Sequence, residues 1–429
     1  MELKAGYKLT DVGVIPTDWE VDSFIRISRQ IMDYRGRTPK KLGMEWGGGD
    51  IPALSAGNVK IGFIDFKAEC YFGSEALYTH WMTSGDVAKG DIVFTTEAPM
   101  GNVALVPDSR KYILSQRVIT LRLDPQRALN RFVFQMMLSA GFQRMLADYS
   151  SGSTAKGIQR RKFEQLRMAL PSLSEQRAIA TALSDMDALL DGLDRLIAKK
   201  RDIKQAAMQQ LLTGQTRLPG FQGKWEVKRL GDVAEIISGG TPKTGEPAYW
   251  NGGIKWCTPT DITGCAGKYL RDTERSISPM GLTNSGAVML PPGALLLCSR
   301  ATIGEVRIAG AEVCTNQGFK SLVCRPDVDG EFMYYKLLTM KQQMVERAFG
   351  STFLEISKAN VAALEVRLPP LGEQTAIATI LSDMDAELTT LEARRDKTRA
   401  LKQAMMQELL TGRTRLVKPE PVEPEAAYA

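Results

Sequence analysis

The chain has 429 residues, 44% hydrophobic and 24% charged, the composition of an ordinary globular protein with roughly two or three domains. Its formal net charge of +6 permits a nucleic-acid partner, and no apolar run reaches the length of a membrane span. The six cysteines form no CxxC pair, so they predict buried free thiols rather than a zinc site or a disulfide framework. Because the first residues lack the basic and apolar regions of a signal peptide, we expect a cytoplasmic protein.

The first globular segment, residues 1–170, reads as alternating strands, turns and helices. Residues 90–106, GDIVFTTEAPMGNVALV, run from a short apolar strand through a polar turn into a second strand after Gly101. A strand-like stretch with a polar Ser-Gln step follows at residues 113–123, and the segment ends in a helical stretch, FVFQMMLSAGFQRMLADY. The pattern predicts an α/β domain with its own core.

A long helix is predicted next. Apolar residues recur at steps of three and four from Ile179 through Leu183 to Ile197, which places one narrow seam along a helix. A seam of two residues in seven is typical of a coiled coil. Glu175 lies in the predicted first turn, where the helix dipole favours acids, and Gly214 suits the left-handed residue that ends a helix.

The second globular segment, residues 218–368, repeats the first in weaker form. The phrase Trp-Glu-Val recurs near its start, and residues 293–309, GALLLCSRATIGEVRIA, match residues 90–106. Residues 313–324 again combine a strand-like pattern with a polar Asn-Gln step before a helical stretch, FMYYKLLTMKQQMVERAF. The match indicates a duplicated chain whose globular halves differ more than its helices.

The second long helix, residues 369–416, aligns without a gap to residues 171–218, and 30 of the 48 positions are identical. Two such similar helices most simply pack antiparallel about a pseudo-twofold axis, with one globular segment at each end. The predicted fold is α+β, with two globular α/β domains separated by two long helices that form an antiparallel coiled coil. The predicted divisions are domain 1–170, helix 171–217, domain 218–368, helix 369–416, and an acidic, Pro-rich, disordered tail at 417–429.

Polar and basic residues gather in the loops between strands of both halves. Arg, Lys, Asn, Gln, Ser and Thr are the side chains that reach base edges and phosphates, and loops on a rigid scaffold present them. A solvated turn is the alternative for any single loop and the better explanation for any single residue, but the whole set together with the net charge favours DNA contact. The candidate DNA-binding residues are Arg35, Arg37, Thr38, Lys40, Lys41, Asn58, Thr96, Gln116, Ser153, Lys156, Thr241, Lys243, Thr244, Thr260, Ser299, Arg300, Thr302, Asn316, Gln317 and Lys320.

Several of these motifs match a known family over nearly the whole chain. The most specific are the paired EQxAIAxxLSDMDA and KQAxMQxLLTG helices and, in the second domain, GGTPKTGEPAYWNGGIKW, SRATIGEVRIAG and CTNQGF. The first domain has weaker versions, with GRTPKK for GGTPKT and TEAPMGN for SRATIGE. The chain resembles the specificity subunit of a type I restriction-modification enzyme.

The resemblance implies a non-catalytic subunit in which each target-recognition domain reads one half of a split DNA sequence through the major groove. It implies as partners double-stranded DNA, two modification subunits that methylate adenine, and restriction subunits. S-adenosylmethionine, ATP and Mg are expected on those partners and no cofactor on this chain. The helices would fix the gap between half-sites, since ~57 Å of helix exceeds the ~34 Å of one DNA turn. Polar residues on the helices either dock the partners or are simply solvated; they include Lys199, Arg201, Lys204 and Gln205.

Two other function classes are weighed against this one. An enzyme would need chemistry that the sequence does not offer: there is no GxxxxGK[ST] phosphate loop and no Asn/Asp-Pro-Pro-Tyr/Phe stretch. The single histidine, His80, has no cysteine nearby and is predicted to pack or hydrogen-bond. A coiled-coil scaffold whose globular ends bind protein explains the helices but leaves the basic loops without a role. Salt dependence separates DNA binding from the scaffold hypothesis, because DNA binding weakens steeply with salt. Metal-dependent cleavage by the isolated chain would favour the enzyme hypothesis.

Overall fold

The computed structural model describes residues 3–149, 157–350 and 354–418. It divides into two compact units, Met1–Leu193 with Arg394–Ala429 (the first unit) and Asp194–Ala393 (the second unit). Each unit contains strands and helices in closely corresponding order, which confirms the α+β class and the internal repeat. No helix in the described part of the chain is long and apolar enough to cross a membrane.

The elements of the first unit begin with a small amino-terminal hairpin and end in the first long helix. The strands are β1 Tyr7–Thr10, β2 Gly13–Pro16, β3 Glu20–Ser23, β4 Ser28–Asp33, β5 Ile51–Leu54, β6 Phe72–Gly73, β7 Ile92–Thr95, β8 Val103–Leu105, β9 Ile113–Leu114, β10 Val118–Leu123 and β11 Arg167–Leu170. The α-helices are α1 Phe24–Ile27, α2 Glu75–Trp81, α3 Asn130–Leu138, α4 Ala140–Asp148, α5 Arg160–Glu164 and α6 Leu173–Leu211, with a short 3-10 helix at Pro39–Leu42.

The elements of the second unit follow the same plan and end in the second long helix. The strands are β12 Glu226–Arg229, β13 Ala234–Ser238, β14 Trp250–Cys257, β15 Tyr269–Leu270, β16 Arg275–Ile277, β17 Leu295–Leu297, β18 Val306–Ala309, β19 Cys314–Thr315, β20 Lys320–Cys324 and β21 Glu365–Leu368. The α-helices are α7 Leu230–Val233, α8 Pro259–Gly264, α9 Pro279–Thr283, α10 Gly330–Thr339, α11 Lys341–Glu346, α12 Lys358–Ala362 and α13 Leu371–Leu409, with a 3-10 helix at Pro247–Tyr249.

The two main sheets of each unit correspond, except that the larger sheet of the second unit has one additional edge strand, β15. The larger sheet has the order β4-β10-β7-β8 in the first unit and β13-β20-β17-β18-β15 in the second. A smaller sheet has the order β6-β5-β9 in the first unit and β16-β14-β19 in the second. In each smaller sheet the last pair is parallel, so the carboxyl ends of both strands meet at one edge. The predicted strand–turn–strand segments are confirmed as β7–β8 and β17–β18.

The long helices are built into the cores of both units. In the first unit, Ile179 and Leu183 of α6 are fully buried in one apolar cluster with Leu409 of α13. In the second unit, Leu211 of α6 shares a cluster with Ile377 of α13. This apolar burial is the main term that holds each helix end to its domain. Each helical stretch predicted before the long helices is in fact two helices, α3–α4 and α10–α11, with breaks at Ser139 and Met340.

Ion pairs show that α6 and α13 run antiparallel inside each unit. In the first unit Glu175 pairs with Arg415 and Asp187 with Lys402. Residue numbers in the second helical segment therefore decrease as those in the first increase. The second unit mirrors this with Lys204 paired to Asp385. The predicted antiparallel coiled coil is therefore confirmed.

The repeated Glu-Gln dipeptide at the start of each helix has a structural role. Glu175 is 1% exposed and accepts hydrogen bonds from Arg415 and, at 3.0 Å, from Trp19 Nε1. The neighbouring Gln176 accepts from Leu129 N at 2.8 Å and donates to the carbonyl of Pro171 at 2.9 Å. Glu373 and Gln374 repeat the arginine and backbone contacts in the second unit, where Arg217 binds Glu373 through two 2.6 Å hydrogen bonds. The tryptophan contact is not repeated, since Trp225 Nε1 has no partner among the described residues. The sequence predicted only an interaction of the glutamate with the helix dipole. In the structure, the dipeptide also joins the start of each long helix to the globular part of its unit.

One helix residue proposed to dock partners is engaged inside the fold. Lys204 pairs with Asp385, which also accepts a 2.6 Å hydrogen bond from Tyr335 Oη. The Lys204 side chain is only 18% exposed, so it is not part of a free outer face. Arg201 pairs with Glu392 but stays largely exposed, and Lys199 and Gln205 are exposed.

Candidate nucleic-acid interface

The carboxyl ends of β14 and β19 bring two polar loops together in the second unit. These strands pair in parallel at Cys257 and Thr315, and Asn316 N donates to the Cys257 carbonyl at 3.1 Å. The loop after β14 leads to the exposed Thr260, and the loop after β19 presents the exposed Gln317. Polar side chains from two distant stretches of sequence therefore lie at one sheet edge.

The loop of residues 239–244 packs onto the same edge. Gly240 N donates to the Thr315 carbonyl at 2.9 Å, and Thr241 Oγ1 donates to Gln317 Oε1. A Cβ atom on Gly239 would lie 2.0 Å from the carbonyl oxygen of Asn316, so glycine is required for this close approach. Beyond this contact, Lys243 and Thr244 project as exposed side chains.

Arg300 completes this surface from the turn between β17 and β18. Its Nε lies 3.1 Å from the position that a Cβ on Gly318 would take, so the side chain crosses the Gly318 backbone. Among the described residues, the Arg300 guanidinium has neither a hydrogen bond nor an ion pair. We name Thr241, Lys243, Arg300, Asn316 and Gln317 the second loop surface.

Three other candidates of the second unit are held within or below this surface. Ser299 is fully buried, and Lys320 is 8% exposed. Lys320 Nζ donates to Ser299 Oγ at 3.5 Å and pairs with Glu355 at 3.2 Å, which ties the loop ends together. Thr302 is half-buried. We withdraw Ser299 and Lys320 as direct DNA contacts, because their side chains face the interior.

The corresponding edge of the first unit lies at the carboxyl ends of β5 and β9. Ser115 N donates to the Leu54 carbonyl at 2.8 Å, and the next residue, Gln116, is exposed. Asn58 is fully buried: it accepts from Ser55 N at 2.9 Å and donates to the Ala53 carbonyl at 2.7 Å. Asn58 therefore shapes the turn after β5, and we withdraw it as a direct DNA contact.

Charges on the first unit's edge are paired with each other. Arg35 binds Asp33 through hydrogen bonds of 2.8 and 2.6 Å. Burial opposes ionisation of Asp33, but these hydrogen bonds outweigh it and lower the pKa of that carboxyl. Arg35 also donates to Thr96 Oγ1 at 3.3 Å, and Thr96 is 1% exposed, so we withdraw Thr96 as a direct contact. Arg117 pairs with Glu97 at 3.5 Å. We name Arg35, Glu97, Gln116 and Arg117 the first loop surface.

The remaining candidates of the first unit occupy the loop after β4. Arg37 donates to the Trp81 carbonyl and, at 3.0 Å, to Thr83 Oγ1, which holds it against the domain. Thr38 caps the 3-10 helix by accepting from Lys41 N, and Lys41 Nζ donates to the Gly36 carbonyl. Lys40 is exposed. Ser153 and Lys156 lie outside the described residues.

Arg117 and Glu97 were missed by the sequence analysis, although a signal for them existed. Aligning residues 90–106 with residues 293–309 places Glu97 opposite Arg300. Aligning the Ser-Gln step at residues 115–116 with the Asn-Gln step at 316–317, which needs a two-residue gap after residue 106, places Gln116 opposite Gln317 and Arg117 opposite Gly318.

The described residues contain no group of three or more His, Cys, Asp and Glu side chains that could hold a metal ion. His80 is exposed, and its Nδ1 lies 2.8 Å from the Ala76 carbonyl oxygen. Burial raises the pKa of the Cys314 thiol to about 11, so this cysteine stays protonated and unreactive at neutral pH.

Comparison with known proteins assigns the family. The family model described as "Type I restriction modification DNA specificity domain" matches residues 29–199 and again residues 222–399. The chain belongs to this family. Its two specificity domains each comprise one loop surface and the first part of the long helix that follows it.

Relatives of the specificity-domain protein include two from Methanocaldococcus jannaschii. The type I restriction enzyme MjaIX specificity subunit is 37% identical over 163 residues, which cover 38% of each chain. The MjaVIII specificity subunit is 24% identical over 422 residues and covers 94% of both chains. A solved chain from work on complex assembly and conformational transition of the type I R-M system superposes with a TM-score of 0.59 at 21% identity. The match covers 93% of this chain and 99% of that one. This last likeness shows a shared fold.

Proposed function

We propose that the chain is the DNA specificity subunit of a type I restriction-modification complex, and that each specificity domain reads one half of a bipartite DNA target. One observation carries the proposal: the DNA specificity model matches twice, and each match leads to a differently equipped loop surface. Residues 1–170 and 218–368 are the two target-recognition domains in this proposal. Different surfaces on one scaffold suit two different half-sites.

The helices serve as spacer and docking region in this proposal. The two helical segments are identical at 30 of 48 positions, whereas the loop surfaces differ, as expected if similar partners bind both helical segments. Those partners are two modification subunits, joined by restriction subunits, all acting in the cytoplasm. The chain itself is non-catalytic, and S-adenosylmethionine, ATP and Mg belong to the partner subunits.

The experiment is to express the chain with its modification subunits in a methylation-free host and to sequence the methylated adenines. A split motif that disappears when this chain is omitted supports the proposal. Methylation that does not depend on the chain contradicts it and favours the scaffold hypothesis. Binding of the complex to the motif should also weaken by about 0.9 log units per phosphate contact for each log unit of salt.

A charge-removal variant tests the assignment of one half-site to one domain. Lys243→Ala with Arg300→Ala should relax only one half-site and should weaken binding by about 1–3 kcal/mol for each base that the variant no longer reads. The matched control removes the same charge at two exposed residues of the same unit, Lys224→Ala with Arg325→Ala, and should leave both half-sites intact. Equal relaxation of both half-sites would contradict the model of one domain for each half-site.

A further inference from the structure

The two loop surfaces share backbone hydrogen bonds and a left-handed alanine at equivalent positions. Ala98 and Ala301 occupy equivalent places in the β7–β8 and β17–β18 turns, and both have left-handed φ angles, 45° and 60°. Each turn is closed by the same hydrogen bond, from Gly101 N to the Thr95 carbonyl at 2.9 Å and from Gly304 N to the Cys298 carbonyl at 3.1 Å. The same turn therefore carries Glu97 in one unit and Arg300 in the other.

A second shared hydrogen bond joins that turn to the loop that holds the glutamine. Thr96 N donates to the Arg117 carbonyl at 2.8 Å, and Ser299 N donates to the Gly318 carbonyl at 2.8 Å. Because the pairing is the same, Gln116 and Gln317 stand at equivalent exposed positions, each directly before the bonded residue.

An arginine side chain lies at the residue that follows each glutamine, but the two arginines come from different loops. In the first unit the side chain belongs to Arg117, whose φ of 66° shows a left-handed backbone. In the second unit Gly318 stands at that position, and Arg300 reaches across it from the neighbouring turn. The first guanidinium is paired with Glu97, whereas the second has no acid partner among the described residues.

Resting on the proposed function, we propose that Gln116 and Gln317 are equivalent base-reading residues of the two domains. The guanidinium next to each glutamine position strengthens the contact; it is paired with Glu97 in the first domain and has no acid partner among the described residues in the second. A glutamine amide matches the donor and acceptor edge of adenine in the major groove, and arginine matches guanine. Thr241 positions the Gln317 side chain by donating to Oε1, which can still accept a second hydrogen bond. Among the described residues, the Gln317 amide nitrogen has no hydrogen-bond acceptor.

Methylation motifs of single-residue variants test this assignment in the complete complex. Gln116→Ala should relax one base position in one half-site, and Gln317→Ala should relax one base position in the other. In each variant the untouched half-site reports that the chain is folded and assembled. Gln126→Ala, an exposed glutamine of the first unit outside the loop surface, is the matched control and should leave the motif unchanged.

The outcomes separate this inference from the proposed function. A wild-type complex that methylates no bipartite motif contradicts the proposed function itself. A wild-type bipartite motif that both glutamine variants retain at every position overturns the inference alone. If either glutamine variant gives no methylation, Gln→Glu at the same position is used, and a changed base preference at one position supports the inference. An unchanged preference overturns it.

Binding at two salt concentrations tests the different restraint of the two guanidinium groups. Arg300→Ala should weaken DNA binding by the complex about tenfold or more, the effect expected for a base-contacting arginine. Arg117→Ala should weaken it by less, and Glu97→Gln should strengthen low-salt binding about two- to fivefold, which is the scale of an exposed ion pair. Equal weakening by Arg117→Ala and Arg300→Ala, or weaker binding by Glu97→Gln, overturns the proposed restraint.

Discussion

A buried carboxylate begins each long helix, and an arginine from the far end of the other helical segment binds it. In the first unit this arginine, Arg415, donates to Glu175 at 2.6 Å and to Asp18 at 2.7 Å. A buried carboxylate without its partner is strongly destabilising, because desolvation is no longer offset by the ion pair. The pair therefore links helix α6, the carboxyl-terminal segment and the amino-terminal segment of the first unit.

Replacing Arg415 with Ala should lower the free energy of unfolding of the first unit by about 2–4 kcal/mol, since Glu175 stays buried and loses its cation. Calorimetry or hydrogen exchange resolved by unit measures the change. Arg413→Ala is the matched control: its side chain is exposed and should change stability by no more than about 0.5 kcal/mol. Equal effects of the two variants would contradict the role given to Arg415.

Acid provides a second check on the same arginine. The Arg415 hydrogen bond lowers the pKa of Asp18 below its ordinary value of 3.8. The folded pKa is thus below the unfolded one, so the stabilisation is complete above about pH 4 and is lost as pH falls through the folded pKa. Asp18→Asn should therefore destabilise at pH 7 and match the wild type in strong acid.

Residue types predicted the loops that form the candidate site but not the direction of each side chain. Asn58, Thr96, Ser299 and Lys320 have the chemistry of DNA contacts, yet each side chain is turned inward to a hydrogen-bond partner inside its domain. That direction depends on strand pairings between distant residues, which a local pattern does not contain. The pairing of Arg117 with Glu97 was missed for the same reason.

The long helices were the most predictable elements, because period, caps and repetition agreed. Further steps of three and four residues beyond Ile197 reach Lys200 and Lys204 in the first helix. The same steps beyond Leu391 reach Lys402 in the second helix. These lysines bind Glu387, Asp385 and Asp187 across the helix pair. The charge of such lysines is typical of a solvent-exposed helix face. Their position in the repeat of three and four residues indicates instead that they lie between the two helices.

The glycine that ends each long helix gives a prediction at the scale of the element. Gly412 and Gly214 have φ angles of 68° and 73°, so alanine at either should cost about 1 kcal/mol in backbone strain. A Cβ on Gly412 would also lie 2.4 Å from Pro16 Cγ, whereas one on Gly214 meets Trp225 at an ordinary 3.4 Å. Gly412→Ala should therefore destabilise by about 1–3 kcal/mol more than Gly214→Ala in thermal unfolding. Similar destabilisation at both sites would show that backbone strain alone, and not the contact with Pro16, determines the cost of each alanine.

The whole molecule carries a prediction about spacing, which follows from the proposed function. Inserting four helix-forming residues after Leu193 and four after Leu391 lengthens both helices by about 6 Å. The pairs Asp187–Lys402 and Lys204–Asp385 lie outside the inserted positions and keep their register. The methylated motif should gain about two base pairs between its half-sites, at ~3.4 Å for each pair.

The control for spacing inserts the same four residues after Gly223, in an exposed loop outside the long helices, and should leave the motif unchanged. Methylation of the original motif by the helix-insertion variant would contradict the proposed role of the helices as spacer.

The division of each helix between two units also affects how the protein is synthesised. The second unit is continuous in sequence from 194 to 393, whereas the first needs Leu409 and Leu410 to complete the core around Ile179. On the ribosome, the second unit can fold while the first still exposes part of its apolar core. A chain interrupted before Leu409 would be open to proteolysis at its incomplete unit. Cellular quality control would thus favour chains that carry both specificity domains over fragments that carry one.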